Sequence, residues 1–230
     1  MLILNGGGVG VVVQNARKVF NDNIDSSKKI LYIPLAWVED LTYNSCLEFM
    51  INELSDINCA GIEMIKSGIE LYNKDLKKYA AIYIGGGNTY KLLKELKDSG
   101  SFDKIKNYVL NENGIVYGGS AGAIIFGKDL DSCNTDDIND VNLDDNTAFD
   151  MLNGYSLLCH YTNRESERTE LSKKYLLKLS KIKPIYAIPE EDSIIVDEEK
   201  ITFIGTRPYY EFIDGKMIEH NIDNVKSLNK

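Results

Sequence analysis

Five short apolar runs set the rhythm of the first half of the chain: LILN at 2–5, KILYIP at 29–34, GIEMI at 61–65, AAIYIG at 80–85 and GIVYG at 114–118. Each is continuous in apolar character instead of alternating, as a strand covered on both faces requires, because its odd and even side chains must both avoid water. Helical patterns separate the runs. After KILYIP, Tyr43, Leu47, Met50 and Leu54 recur at spacings of three and four, with Asp40 available as an N-cap; Leu92, Leu93 and Leu96 do the same after AAIYIG. Repeated strand-helix-strand order predicts right-handed crossovers and an α/β fold, a three-layer α/β/α sandwich around a mainly parallel central sheet. A length of 230 residues, 43% of them apolar, is enough to bury a sizeable core, and one compact domain over 1–230 is expected.

The rhythm breaks at 129–150, where eight aspartates and almost no apolar periodicity predict a long solvated loop. Those aspartates lack the glycine and terminal glutamate of a twelve-residue calcium loop, so no metal site is expected there. Beyond it lie a strand ending at His160 and a helix with Leu171, Tyr175 and Leu179 on one face. Short strands follow near 184–188, 193–197, 201–205 and 209–213, and the turn DGK at 214–216 suggests that the last two elements are antiparallel.

Composition narrows the function classes. The balance of 26 basic and 35 acidic residues gives a formal charge of -9, with no Lys/Arg cluster to track phosphates, so nucleic acid is not an expected partner. Cys46, Cys59, Cys133 and Cys159 form no CxxC pair, which suggests neither a zinc site nor a disulfide framework. The N-terminus lacks a basic leader and no stretch approaches 18 uninterrupted apolar residues. A cytoplasmic protein with no membrane contact and no cofactor, monomer or homodimer, is expected.

The stretch Gly118-Gly119-Ser120-Ala121-Gly122 fits the pattern G-x-S-x-G, the nucleophile elbow. Such an elbow holds a serine on a sharp strand-to-helix turn, with glycines two residues to either side avoiding clashes across it. The helix that follows aims its N-terminal N–H groups at the serine, which favours developing negative charge. A Gly-rich turn also occurs for packing or phosphate binding, so the motif needs partners. A serine hydroxyl needs a base, and the chain has two histidines. His160 follows the strand YSLLC, while His220 sits in a polar tail.

An acyl-transfer site also needs oxyanion donors. The Ala121 N–H is one by position. The turn Gly85-Gly86-Gly87-Asn88 follows AAIYI and leads into a helix, so its backbone can turn an N–H toward Ser120, or Asn88 can simply cap that helix. Both Gly-rich turns fall at strand C-terminal ends, where ligand sites of open α/β sheets lie. Glu190, Glu191 and Asp192 occupy another strand-end turn and offer a carboxylate to orient the histidine. GGGVG at 6–10 does not match the dinucleotide fingerprint G-x-G-x-x-G and reads as a strand-helix turn on the same face. Trp37 and Tyr90 are read by default as packing residues.

These residues resemble the dipeptidase E and cyanophycinase family of serine peptidases, built on the class I glutamine amidotransferase-like (flavodoxin-like) fold. The resemblance runs through IPLA at 33–36, IYIGGGNTYKLLKEL at 82–96, GIVYGGSAGA at 114–123, CHYTN at 159–163, IPEEDS at 188–193 and FIG at 203–205. It implies a serine peptidase that hydrolyses small peptides through an acyl-enzyme, with dipeptidase or aminopeptidase-like activity. Carried over, the nucleophile falls on Ser120, the base on His160, and the acid best on Glu191, with Glu190 one register away. The oxyanion donors fall on Gly87, with Gly86 as neighbour, and on Ala121. Aspartyl dipeptidases of the family carry a longer segment after the histidine that supplies an arginine to the substrate; here Arg164 or Arg168 is the candidate, alongside Asn88, although helix-surface placement fits both arginines.

Two rival readings follow from the same residues. One is an α/β-hydrolase esterase using Ser120 and His220 with Asp192 or Asp214. The other is a non-catalytic member of the fold that only binds a ligand.

Overall fold

A computed structural model describes residues 1–36 and 43–222; the anticipated N-cap Asp40 and Trp37 lie outside them. In chain order the elements are β1 (Leu2–Asn5), α1 (Gln14–Asn23), β2 (Ile30–Ile33), α2 (Tyr43–Glu53), β3 (Ile62–Met64), α3 (Gly68–Asn73), β4 (Ala81–Ile84), α4 (Thr89–Asp98), α5 (Ser101–Asn111), β5 (Val116–Gly119) and α6 (Ala121–Ile124). Then come β6 (Ser156–Leu158), α7 (Ser166–Leu179), β7 (Ile185–Ala187), β8 (Ser193–Asp197), β9 (Lys200–Ile204), β10 (Tyr209–Ile213) and β11 (Lys216–His220).

The expected central sheet is present, in the order β3-β2-β4-β5-β1-β8-β9. Its first five strands pair in parallel, and β8 and β9 extend it as an antiparallel edge. All residues of β1, β2, β4 and β5 are buried, and the two faces account for it. Ile3, Tyr32, Tyr83 and Tyr117 point into a layer with Phe20 of α1 and Met50 of α2. Their neighbours Leu4, Leu31, Ile82, Ile84 and Val116 pack with Leu92, Leu93 and Leu96 of α4 and Ile105 of α5. Continuous apolar character in a strand thus means two covered faces. The parallel register places Asn5, Ile33, Ile84 and Gly119 at one edge of the sheet, so the segments that leave β1, β2, β4 and β5 emerge side by side.

Three features depart from expectation. The later strands do not all join the central sheet: β11-β10-β7-β6 form a second, four-stranded sheet, with β6 and β7 parallel and the rest antiparallel. The α7 stripe is shifted by one residue, because Ser172 and Leu176 are buried while Leu171 is 58% exposed. The aspartate-rich segment is the expected loop, with Asp140, Asp144, Asp145 and Asp150 exposed, but part of it is tied down. Asp129 and Asp131 pair with Lys183, Asp136 with Arg168, Asp145 with Lys97, and Asp137 accepts from the Thr89 N–H at 2.9 Å. Four of its eight aspartates pair with cations far away in sequence, which no local pattern reveals. Tyr90 is buried and bonds Asn134, a packing role as read from the sequence.

Candidate active site

Ser120 sits at the turn between β5 and α6 with φ 52° and ψ -115°, a backbone conformation costly for any residue with a side chain. Glycine is obligatory on either side of it. A Cβ on Gly118 would fall 2.3 Å from the Gly122 carbonyl oxygen, and one on Gly122 would fall 2.2 Å from that of Ile84. The Ser120 N–H is held by the Asn5 carbonyl at 3.1 Å, and its own carbonyl accepts from Ala123 and Ile124. The turn is therefore fixed by backbone bonds, and Oγ is left free to point outward.

Ser120 Oγ lies 2.7 Å from His160 Nε2, and His160 Nδ1 lies 2.7 Å from Glu190 Oε1. His160 leaves the end of β6 at φ 57°, its N–H bound to the Gly6 carbonyl at 2.9 Å. The turn at 6–8 packs directly on the imidazole, since a Cβ on Gly7 would lie 2.1 Å from the ring Cε1. The first residues after β1 also bind the acid turn: Gly6 N–H reaches the Asp192 carbonyl at 3.0 Å and Gly8 N–H the Glu190 carbonyl at 3.2 Å. Asn5 adds a side-chain bond to Ser193 Oγ at 3.1 Å.

Glu191, the carboxylate expected on His160, does not meet it. Its side chain takes Asn163 Nδ2 at 3.0 Å and Arg207 Nη1 at 3.3 Å. Burial alone would raise its pKa, but the bonds from Asn163 and Arg207 outweigh burial and hold it below the ordinary glutamate value. Asn163 also accepts the Glu190 N–H at 2.8 Å, so one amide fixes both glutamates and turns them to opposite sides. Arg207 reaches Thr162 Oγ1 at 3.1 Å as well, tying the segment after β9 to the one after His160. Asn163 was inside a matched motif with no role assigned, and Arg207 carried no sequence signal beyond following FIG.

Asp192 completes the turn from inside. It is fully buried; Oδ1 accepts the N–H groups of Thr206 and Arg207 at 2.9 and 3.1 Å, and Oδ2 has no partner among the described residues. Burial pushes its pKa up to about 6 despite those two bonds. A carboxyl that binds its proton more tightly when folded stabilises fully below the ordinary range near 4 and loses that contribution as pH rises through about 6. Asp192→Asn keeps the acceptor and removes the titration. Urea midpoints should show wild type losing on the order of 2–3 kcal/mol relative to the variant between pH 4 and 7; parallel curves would refute this.

The turn that carries Gly86 lies against Ser120, and Ala121 follows that serine in the chain. Ala121 opens α6, so its N–H has no intrahelical acceptor. In the turn after β4, the N–H of Gly85 goes to Ile33 and that of Asn88 to Ala36, while those of Gly86 and Gly87 take no acceptor among the described residues. A Cβ on Gly86 would lie 3.1 Å from Ser120 Cβ, which sets this turn against the nucleophile. Gly87 has φ 137°, and a Cβ there would meet the Ala36 carbonyl oxygen at 2.1 Å.

The expected substrate residues are elsewhere engaged. Asn88 caps α4, accepting from Lys91 N–H at 2.9 Å and donating to the Ile138 carbonyl at 2.8 Å. Arg168 is bound to Asp136 at 2.9 Å, and Arg164 is exposed. His220 lies on β11, where it pairs with Glu211 at 3.0 Å and stacks on Tyr209. Beside Ser120 and His160 opens a cavity of about 460 Å³, walled by the 7–9 turn, the 85–87 turn and side chains of β2, β4 and α2. No helix among the described residues is long and apolar enough to cross a membrane.

Comparison with known proteins gives the family. The model of Peptidase family S51 matches residues 1–204. A peptidase E from Nostoc sp. (strain PCC 7120 / SAG 25.82 / UTEX 2576) is 30% identical over 212 residues, covering 87% of this chain and 83% of that protein. A peptidase E from Salmonella arizonae is 26% identical over 215 residues, 89% of this chain and 88% of its own. Two solved structures share the fold. One, of a Listeria monocytogenes EGD-e protein bearing the peptidase E name, has a TM-score of 0.70 at 24% identity, covering 89% of this chain and 97% of that one. The other, of a peptidase from an acI-B1 Actinobacterium, has a TM-score of 0.65 at 17% identity, covering 95% and 96%. The chain belongs to peptidase family S51 and is a serine-type peptidase.

Proposed function

We propose that Ser120, His160 and Glu190 form the catalytic triad of this peptidase, with Ala121, Gly86 and Gly87 as oxyanion donors. The observation that carries the reading is the unbroken chain of contacts from Glu190 Oε1 through His160 to Ser120 Oγ, both links at 2.7 Å. For Nε2 to accept the serine proton, the neutral ring must carry its proton on Nδ1, and Glu190 is placed to select that tautomer. Ser120 Oγ then attacks the peptide carbonyl while His160 takes its proton, and the oxyanion is received by the N–H groups of Ala121 and of the 86–87 turn. His160 returns the proton to the leaving amine. Water, deprotonated by His160, next releases the acid from the acyl-serine.

The experiment is labelling with a fluorophosphonate, read by mass spectrometry. An adduct on Ser120 in wild type that is lost in His160→Ala supports the triad, and a folded protein that stays unlabelled overturns it. The rival base is tested in parallel. His220 is held by Glu211 and Tyr209 in the second sheet, so His220→Ala should keep peptidase activity within about threefold, while His160→Ala should lose at least about 10³-fold. The reverse pattern would hand the role to His220.

A further inference from the structure

The cavity beside the nucleophile has a chemical character of its own. Its side-chain wall is made by Tyr32, Cys46, Phe49, Met50 and Tyr83, and none of the described residues that line it is Asp, Glu, Lys or Arg. Burial keeps the Tyr32 and Tyr83 hydroxyls and the Cys46 thiol protonated, since each has its pKa raised. Glu53 and Arg17, which act on Tyr83, pair with one another at 2.6 Å, and Arg17 also pairs with Asp56. The rim is apolar as well: Val9 is 50% exposed and Phe49 48% exposed, and both face the cavity. The wall is anchored, because Glu53 at the end of α2 takes the Gly10 N–H at 2.9 Å and so ties the 6–10 turn to the helix.

We infer that this cavity is the subsite for an uncharged apolar side chain, of leucine, methionine or phenylalanine size, on a residue flanking the scissile bond. The inference rests on Ser120 being the nucleophile, and it names the substrate class: small peptides with an apolar residue at that position. Three observations converge. The cavity opens at Ser120 and His160, so a chain bound for attack must place a neighbouring side chain into it or leave it empty. Its volume of about 460 Å³ holds such a side chain together with part of the backbone. A carboxylate or ammonium would meet no countercharge among the described lining residues, a cost that an apolar side chain avoids. No arginine is among the described residues that line the cavity; Arg168 is paired with Asp136, Arg207 with Glu191 and Thr162, and Arg164 is exposed.

The test uses two dipeptide series, Xaa-Ala and Ala-Xaa, with Xaa as Leu, Met, Phe, Ala, Asp or Lys, on wild type, Phe49→Leu and Phe49→Arg. In one series kcat/KM for Leu, Met and Phe should exceed that for Asp and Lys by about 10- to 100-fold. Phe49→Leu should keep that preference. Phe49→Arg, which brings a cation to the rim of the same pocket, should raise Asp relative to Leu by about tenfold or more in that series alone. Phe49 is half exposed, so these variants should fold, as circular dichroism will verify. A charged or flat preference in both series, or no cleavage of any apolar dipeptide by a protein whose Ser120 takes up fluorophosphonate, overturns the subsite and leaves the nucleophile standing. Absence of Ser120 labelling in wild type overturns both.

Discussion

Ser120→Ala is expected to reduce kcat/KM for peptide hydrolysis by at least about 10⁴-fold, with the protein still folded and still binding peptide. In the proposed triad the hydroxyl forms the acyl bond, while the substrate contacts that would remain belong to the proposed backbone N–H donors and the cavity wall. Progress curves and equilibrium binding of the uncleaved peptide separate the two effects; activity within tenfold of wild type would end the serine assignment. A second substitution at the same position carries an opposite sign. At φ 52° and ψ -115° a Cβ is strained and glycine is not. Ser120→Gly should therefore be about 1–2 kcal/mol more stable than Ser120→Ala, although both lose Oγ. Equal stabilities would mean that the elbow stores no strain.

Substituting the adjacent glutamates should separate them sharply. Glu190→Gln leaves His160 Nδ1 facing an amide that cannot compensate the imidazolium and can favour the wrong tautomer, so kcat should fall about 10²–10⁴-fold. Glu191→Gln keeps the acceptor for Asn163 and loses only part of the attraction to an exposed-side Arg207, so kcat should fall less than about tenfold. Steady-state kinetics on the two variants decides the matter, and a larger loss for Glu191→Gln would return the role to the residue that the family motif favoured.

Why the sequence marks the serine and the histidine but not which glutamate faces them has a physical basis. Ser120 stood out because the elbow demands glycines at fixed offsets, and the structure contains the clashes that would follow without them. His160 stood out by scarcity and by its place after an apolar strand. Glu190 and Glu191 differ only in which way each side chain leaves one turn, and that is decided by Asn163 and Arg207, contacts from remote parts of the chain. The fold divides in the same manner. Burial of β1, β2, β4 and β5 on both faces is written in each strand's own composition, whereas, apart from the DGK turn that joins β10 to β11, membership of β6, β7, β10 and β11 in a second sheet depends on pairing between segments that carry no mark of it.

The end of β1 and the residues just after it carry no atom of the proposed triad, yet the Asn5 and Gly6 carbonyls hold Ser120 and His160, and the N–H groups of Gly6 and Gly8 hold the acid turn. The three functional side chains are thus strung on one short length of main chain. On the proposed roles, a fluctuation that lifts this segment would loosen the supports of nucleophile, base and acid together, coupling all three to one local opening.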